Sequence, residues 1–323
     1  MPGNPNLPRP QVRVLSKTRI LEQLRAIDSS DAARKRVLQM ESEFRLRITN
    51  HVTSLPKASS VFGKLNTSPF VLLFYARQRG YKHVSDIERD ILPAKIFSSM
   101  ETSAGRMVED IVLPAYGWES VRSTMHSWGS VIDGRKKETN ILRLATIKSG
   151  PRCLNDEMSK DIADDIVGHA EQWAEEAKVD HVEFTYGVLY GTPKSSNKKD
   201  WHILRNVVET VGTRFVIQGP EGRWDCSFRL RGMRVDVVVR IGSDWWNHLG
   251  GETTLLEILT SLIRACVIPA PKVTRQAIYT ISDLSEIVSM KAVPNTYNVS
   301  VLQHSQLEWL FFLARHYCDV LTD

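Results

Sequence analysis

Two residues of this 323-residue chain have types and a spacing that could do chemistry together. Residues 130–134 read as an apolar strand that ends on one acid, Asp133, and residues 142–148 read as a second strand that ends on Lys148. The segment 135–140 between them is polar and of hairpin length. Two adjacent antiparallel strands would bring the acid and the lysine to one end of a sheet. A carboxylate there can hold Mg²⁺, and an ammonium group beside it can polarise a water or a phosphate. That is the equipment of a metal-dependent phosphodiesterase. Glu109, on the helical stretch that precedes the strands, could add a second carboxylate. Mg²⁺ takes one or two carboxylates and completes its shell with water and phosphate oxygens, so two acids suffice.

The elements that must position these groups follow from periodicity. Ile20, Leu21, Leu24 and Ile27 share one helical face, and the break at Ser29, Ser30 and Asp31 starts a second helix through Val37, Met40, Phe44 and Ile48. Arg34, Lys35, Arg36, Arg45 and Arg47 lie on its charged side, a face that reads as solvated. Further helices are expected from Pro69, over 84–91 and over 104–113, the last ending at Pro114. Strands are then expected at 129–133 and 141–148, a long helix at about 155–177, and a strand at 181–190. Beyond a lysine-rich loop come strands near 214–218 and 234–241 and a helix at 253–267. This order is mixed α/β, with a helix crossing over between strands. The domain division expected is an N-terminal arm and helical subdomain over 1–65, a catalytic domain over 66–268 and a C-terminal helical extension over 269–323. The first 14 residues, with four prolines, read as an extended arm, and 307–321 as an apolar last helix.

Composition narrows the class. With 42% hydrophobic and 24% charged residues the chain reads as an ordinary soluble globular protein, and its net charge of +5 suits a polyanionic partner. The four cysteines, Cys153, Cys226, Cys266 and Cys318, form no CxxC pair, so neither a zinc site nor a disulfide framework is suggested and a reducing cytoplasm is expected. No signal peptide and no membrane span are read. There is no GxSxG or GxGxxG, no HExxH, and the run from Gly187 to Ser195 misses the spacing of a phosphate loop. Trp245 and Trp246, at a helix start after a strand, read as packing residues.

The residues as a set resemble the PD-(D/E)XK nuclease superfamily, and within it the type II restriction endonucleases that cut interrupted GGNCC-type sites. The resemblance is carried by Ser68-Pro69-Phe70, by the run 105–114 around Glu109, and by the hairpin of Asp133 and Lys148. It continues through Tyr186-Gly187-Val188-Leu189-Tyr190-Gly191, Trp201-His202-Ile203-Leu204-Arg205, 235–239 and 245–251, spanning about 68 to 268. It implies a mixed central sheet flanked by helices, catalytic roles for Asp133 and Lys148, and the helix acid at Glu109. It also implies Mg²⁺ as cofactor, with Asp133 and Glu109 as ligands. The implied substrate is double-stranded DNA with a palindromic site, bound by a homodimer in a prokaryotic cytoplasm, with a cognate methyltransferase acting on the same site. Cleavage would leave 5′-phosphates.

One departure stands out. The motif's middle acid, two residues before the lysine, is here Thr146, which cannot supply the same charge. Either activity runs with fewer protein ligands, or Glu157, Asp161 or Asp164 on the following helix substitutes; those three also read as the polar face of an amphipathic helix. Thr146 therefore stays among the candidate catalytic positions. Candidate DNA-binding residues are Arg135, Lys136 and Lys137 beside the hairpin, Arg152 after Lys148, and Lys194, Lys198 and Lys199 in the lysine-rich loop. Two alternatives remain: a DNA-binding protein with a degenerate nuclease core, and a repair nuclease without a fixed sequence.

Overall fold

The Ser16 hydroxyl accepts the Arg19 amide at 3.2 Å and so caps a first helix, α1 (Lys17–Ser29). Its apolar stripe, Ile20, Leu21, Leu24 and Ile27, is buried as the spacing requires. Ser30 interrupts the helix, and α2 (Asp31–Ser54) follows. The computed structural model describes residues 16–54, 69–80, 86–121, 131–212, 224–267, 300–302, 306–307 and 310. The expected arm over 1–14, the strand near 214–218 and most of the helix over 307–321 lie outside the described residues.

Next come α3 (Pro69–Arg79) and α4 (Asp86–Ala115). Two helices were expected where α4 runs unbroken, because Pro93 and Pro114 both sit inside it. Pro114 nonetheless lies in its last turn, where the Leu113 and Pro114 carbonyls accept the Tyr116 and Gly117 amides. After β1 (Glu119–Ser120) the chain forms β2 (Gly134–Glu138) and β3 (Ile141–Lys148), joined at Thr139 and Asn140. This corrects the expected strand over 129–133. Val131 and Ile132 are buried in a turn, and the polar segment that read as a connection is the strand itself. β2 has only the two-residue β1 on its outer side, so outward charges suit its near-edge position.

The crossover follows: α5 (Asp156–Ala177), capped by the Asn155 side chain accepting the Met158 amide at 2.7 Å, leads to β4 (His181–Val188), parallel to β3. On α5, Ile162, Ile166 and Trp173 are buried, whereas Met158 is exposed. Then come α6 (Lys199–Val211), β5 (Trp224–Leu230), β6 (Met233–Ile241), α7 (Ser243–Gly250) and α8 (Thr254–Cys266). The sheet order is β1-β2-β3-β4-β6-β5, with β3, β4 and β6 parallel in the centre and antiparallel strands on both sides. The fold is thus the mixed α/β sheet expected. Its central strands are nearly continuous apolar runs because helices cover both faces.

On one face α5 and α6 bury Ile162, Ile166, Trp173, Ile203 and Leu204 against Leu142, Leu144, Phe184 and Val237. On the other, α2, α4, α7 and α8 bury Phe44, Val112, Trp245 and Ile258 against Ala145 and Ile147. Trp245 and Trp246 are core residues, as their position suggested. Gly187 makes the Trp245 contact possible, since a Cβ there would stand 2.7 Å from the indole ring. Gly187→Ala is therefore expected to lower stability by about 1–3 kcal/mol. Thermal unfolding reads the effect, and an unchanged Tm would show that the ring is free to shift.

The N-terminal helices are tied to this second face by charge as well as packing. Arg36, expected on a solvated face, instead reaches the fully buried Glu257 carboxylate of α8 with two hydrogen bonds of 2.7 and 2.9 Å. Arg47 pairs with Asp110 of α4 at 2.6 Å. Val301, Leu302, Leu307 and Leu310 complete an apolar cluster with α1 and α8.

Candidate active site

In sheets with parallel strands, ligands gather at the carboxyl ends, where loops and helix termini converge. Lys148 closes β3 at that end. Asp133 precedes β2 by one residue, and its amide donates to the Ala145 carbonyl at 2.8 Å, so the ladder continues past the strand's formal start. Its carboxylate then accepts the Ile147 amide at 2.6 Å. The acid is thereby bolted to the strand that carries the lysine, one residue from it.

The third member arrives from a different layer. Helix α4 passes beside the end of β3 at Gly105, where a Cβ would lie 3.6 Å from Ser149, the residue after Lys148. One turn later the helix presents Glu109. Burial, first, and then the Asp133 charge push the Glu109 carboxyl up to about 7, with Lys148 pulling the other way. Burial likewise raises Asp133, against the Ile147 amide and Lys148. Two half-buried carboxyls with one ammonium neighbour thus stand together at the carboxyl end of β3.

That donor set fits a hard dication. Among the described residues there is no group of three or more His, Cys, Asp or Glu side chains able to hold a metal. What is present is two acids whose charges are mutually costly, and a divalent cation between them would relieve that cost while taking its remaining oxygens from water and phosphate.

Thr146 does not join them. Its side chain is buried and its hydroxyl donates to the Val131 carbonyl, which ties it to the segment before Asp133. A hydroxyl that donates to a backbone carbonyl keeps its lone pairs but carries no charge, so this position supplies no carboxylate where the motif has an acid. Glu157, Asp161 and Asp164 are exposed on α5, and Asp164 pairs with Lys160 at 2.6 Å. None of the three is among the groups that shift Asp133 or Glu109.

The basic candidates divide by position. Arg135, Lys136 and Lys137 run along β2 away from the Asp133 end, Lys137 standing opposite Leu142 near the hairpin turn. Arg135 pairs with Glu119 at 2.7 Å, and Lys136 lies 3.7 Å from Glu138. They follow one another away from the centre, because the segment is a strand and not a turn. Arg152, Lys194 and Lys198 do lie at the carboxyl end of the sheet. The Arg152 guanidinium donates to the Ser195 carbonyl at 3.1 Å and the Asn197 amide to the Pro151 carbonyl at 3.2 Å, stitching the two loops together. Lys194 and Lys198 are exposed on that loop, whereas Lys199 is paired with Asp156 at 2.6 Å.

Sequence reasoning missed three groups. Arg106 is exposed, and its charge acts on Glu109. Its position three residues earlier on a helix was the available signal. Tyr186 and Asp200 are both buried, and the charges of Asp200 and Asp133 both act on the Tyr186 phenol. Behind Glu109 lies a cavity of about 660 Å³ lined by Phe97, Val108, Leu189, Trp246 and Ile258. Glu101, Thr102, Ser149 and Ser243 are polar residues of its otherwise mostly apolar wall.

Residues 65–218 match the family model of the type II restriction endonuclease EcoO109I. The stretch takes in α4, β2, β3, α5, β4 and α6, and hence Glu109, Asp133 and Lys148. No curated protein matches the chain.

Proposed function

We propose that this protein, whose residues 65–218 match the family model of the type II restriction endonuclease EcoO109I, is a Mg²⁺-dependent, sequence-specific endonuclease that cuts both strands of DNA. The observation that supports this reading most is the convergence of Glu109, Asp133 and Lys148 from a helix and two strands, with both carboxyls raised. Asp133 and Glu109 would hold the cation. When bound, it supplies charge neutralisation at the scissile phosphate and an acidified water. Asp133, fixed by the Ile147 amide, keeps its carboxylate at one angle. Lys148 holds the attacking water and the phosphate oxygen in line, and Arg152, Lys194 and Lys198 meet flanking phosphates. Displacement of the 3′-oxygen leaves a 5′-phosphate. The interrupted GGNCC class is proposed for the site, a homodimer for the assembly, and a prokaryotic cytoplasm shared with a methyltransferase for the setting. No helix among the described residues is long and apolar enough to cross a membrane.

A second reading rests on Thr146. With its hydroxyl engaged by the Val131 carbonyl, the centre has one acid fewer than the motif, and a DNA-binding protein with a lapsed nuclease core would look the same. Incubating phage DNA with the purified protein, with Mg²⁺ or with EDTA, separates the two. Discrete fragments that need Mg²⁺ and are absent with Asp133→Ala are the expected result. Binding without cleavage would establish the lapsed core, and a smear a nuclease without a fixed site.

A further inference from the structure

On the face of the sheet covered by α5 and α6, one row of residues crosses three strands. Asp133 stands level with Thr146, and Thr146 is in register with Tyr186 on β4. The position from which the motif's acid is missing is thus flanked by Tyr186. This side chain is only 1% exposed. Burial, and then the charges of Asp200, Cys153 and Asp133, push the phenol well above its usual range, so it keeps its proton and remains a donor.

Asp200, in the first turn of α6, lies over the same spot. It is 4% exposed. Its Oδ1 accepts the Ser196 hydroxyl at 2.8 Å and the Trp201 amide at 3.0 Å, while its buried Oδ2 has no partner among the described residues. An oxygen of this kind is costly to bury as a charge and favours carrying the proton. Burial indeed raises the Asp200 carboxyl, against the Ser196 and Trp201 bonds. Buried groups like these two, within reach of each other's charge but not directly bonded, are commonly joined by one ordered water.

We propose that Tyr186 is a hydrogen-bond donor of the catalytic centre and Asp200 its positioning residue. Through one bridging water the Asp200 carboxyl fixes the phenol, and the phenol donates to an oxygen held between Asp133 and Lys148. A buried donor beside the empty position helps to orient that oxygen where the usual acid would have done so. This rests on the endonuclease reading above and names further groups for the same centre.

Single-turnover cleavage of bound DNA tests it, alongside DNA affinity measured without divalent cation and thermal unfolding. Tyr186→Phe keeps the ring, so it should cut about 10–100-fold more slowly, with DNA affinity and Tm unchanged. Asp200→Ala should be similarly slow, whereas Asp200→Asn, which keeps a donor at that end, should restore most of the rate. The double variant Tyr186→Phe/Asp200→Ala should be no slower than Tyr186→Phe alone. The proposal is overturned if Tyr186→Phe cuts at the wild-type rate, or loses DNA affinity in step with its rate. It is overturned equally if the two changes multiply. Should Asp200→Ala fail to fold, Tyr186→Phe and Asp200→Asn still decide. A wild-type protein that cuts no DNA overturns the endonuclease reading and this one with it; a wild type that cuts beside a fully active Tyr186→Phe overturns this one alone.

Discussion

Glu109→Gln is expected to abolish Mg²⁺-dependent cleavage while making the metal-free protein more stable. The loss follows from the several kcal/mol that a bound metal ion contributes to such a transition state, equivalent to ~10³-fold or more in rate. The gain follows from the carboxyl's environment. In the folded protein it keeps its proton up to about 7, because of burial and the Asp133 charge, whereas its ordinary value is 4.5. Between those two values the folded state binds the additional proton. Glu109's contribution to stability is therefore most favourable at low pH, falls as pH rises through that window, and stays unfavourable above it. The gap corresponds to at most ~3 kcal/mol. Thermal unfolding in EDTA from pH 4 to 8 should show this decline in the wild type and a flatter profile in Glu109→Gln. Adding Mg²⁺ at pH 8 should raise the wild-type Tm and leave the variant's unmoved, since a ligand stabilises only the state it binds. A variant that still cuts, or a wild type whose Tm ignores Mg²⁺, would remove Glu109 from the site.

Arg36→Ala should be the most destabilising single change among the N-terminal helices. The Glu257 side chain is fully buried, and its oxygens accept Arg36 twice, the Tyr116 hydroxyl at 2.8 Å and the Thr253 hydroxyl at 2.8 Å. The guanidinium also lies over the Tyr116 ring at 5.2 Å. Removing the cation leaves a buried carboxylate with neutral donors only, a change that costs about 3–5 kcal/mol. For a chain of this size that is a fall in Tm of about 6–10 °C. Arg36→Lys should recover only part of it, because a point charge cannot make the forked contact. The decisive comparison is Arg36→Ala/Glu257→Gln, which removes the stranded charge and should be more stable than Arg36→Ala alone. If the double variant is the less stable, the pair's value lies in packing and not in charge.

Much of this architecture was legible because it rests on local rules. The apolar stripe of α1, the extent of α5 and the β3–α5–β4 crossover each follow from periodicity or chain-order constraints. What failed locally failed for a tertiary reason. Residues 135–138 looked like part of a turn because they are charged, yet near the edge of a sheet an alternately exposed strand tolerates charge. Arg36 looked solvated because nothing nearby in sequence opposes it; its partner is 221 positions away.

The same division holds for the site. The sequence by itself nominated Asp133, Lys148 and Glu109 by residue type, but a strand ending at 133 with a turn over 135–140 would leave Asp133 and Lys148 at opposite ends of the hairpin; they meet because 134–138 is a strand that starts just after Asp133. Only the tertiary structure decided the rest. It brought Glu109 across the strand end at Gly105, tied the Thr146 hydroxyl to the Val131 carbonyl, and set Tyr186 and Asp200 around the same row of the sheet. Parallel pairing and helix packing join residues tens of positions apart, and burial sets which of them carry charge; neither is written in any short stretch of chain.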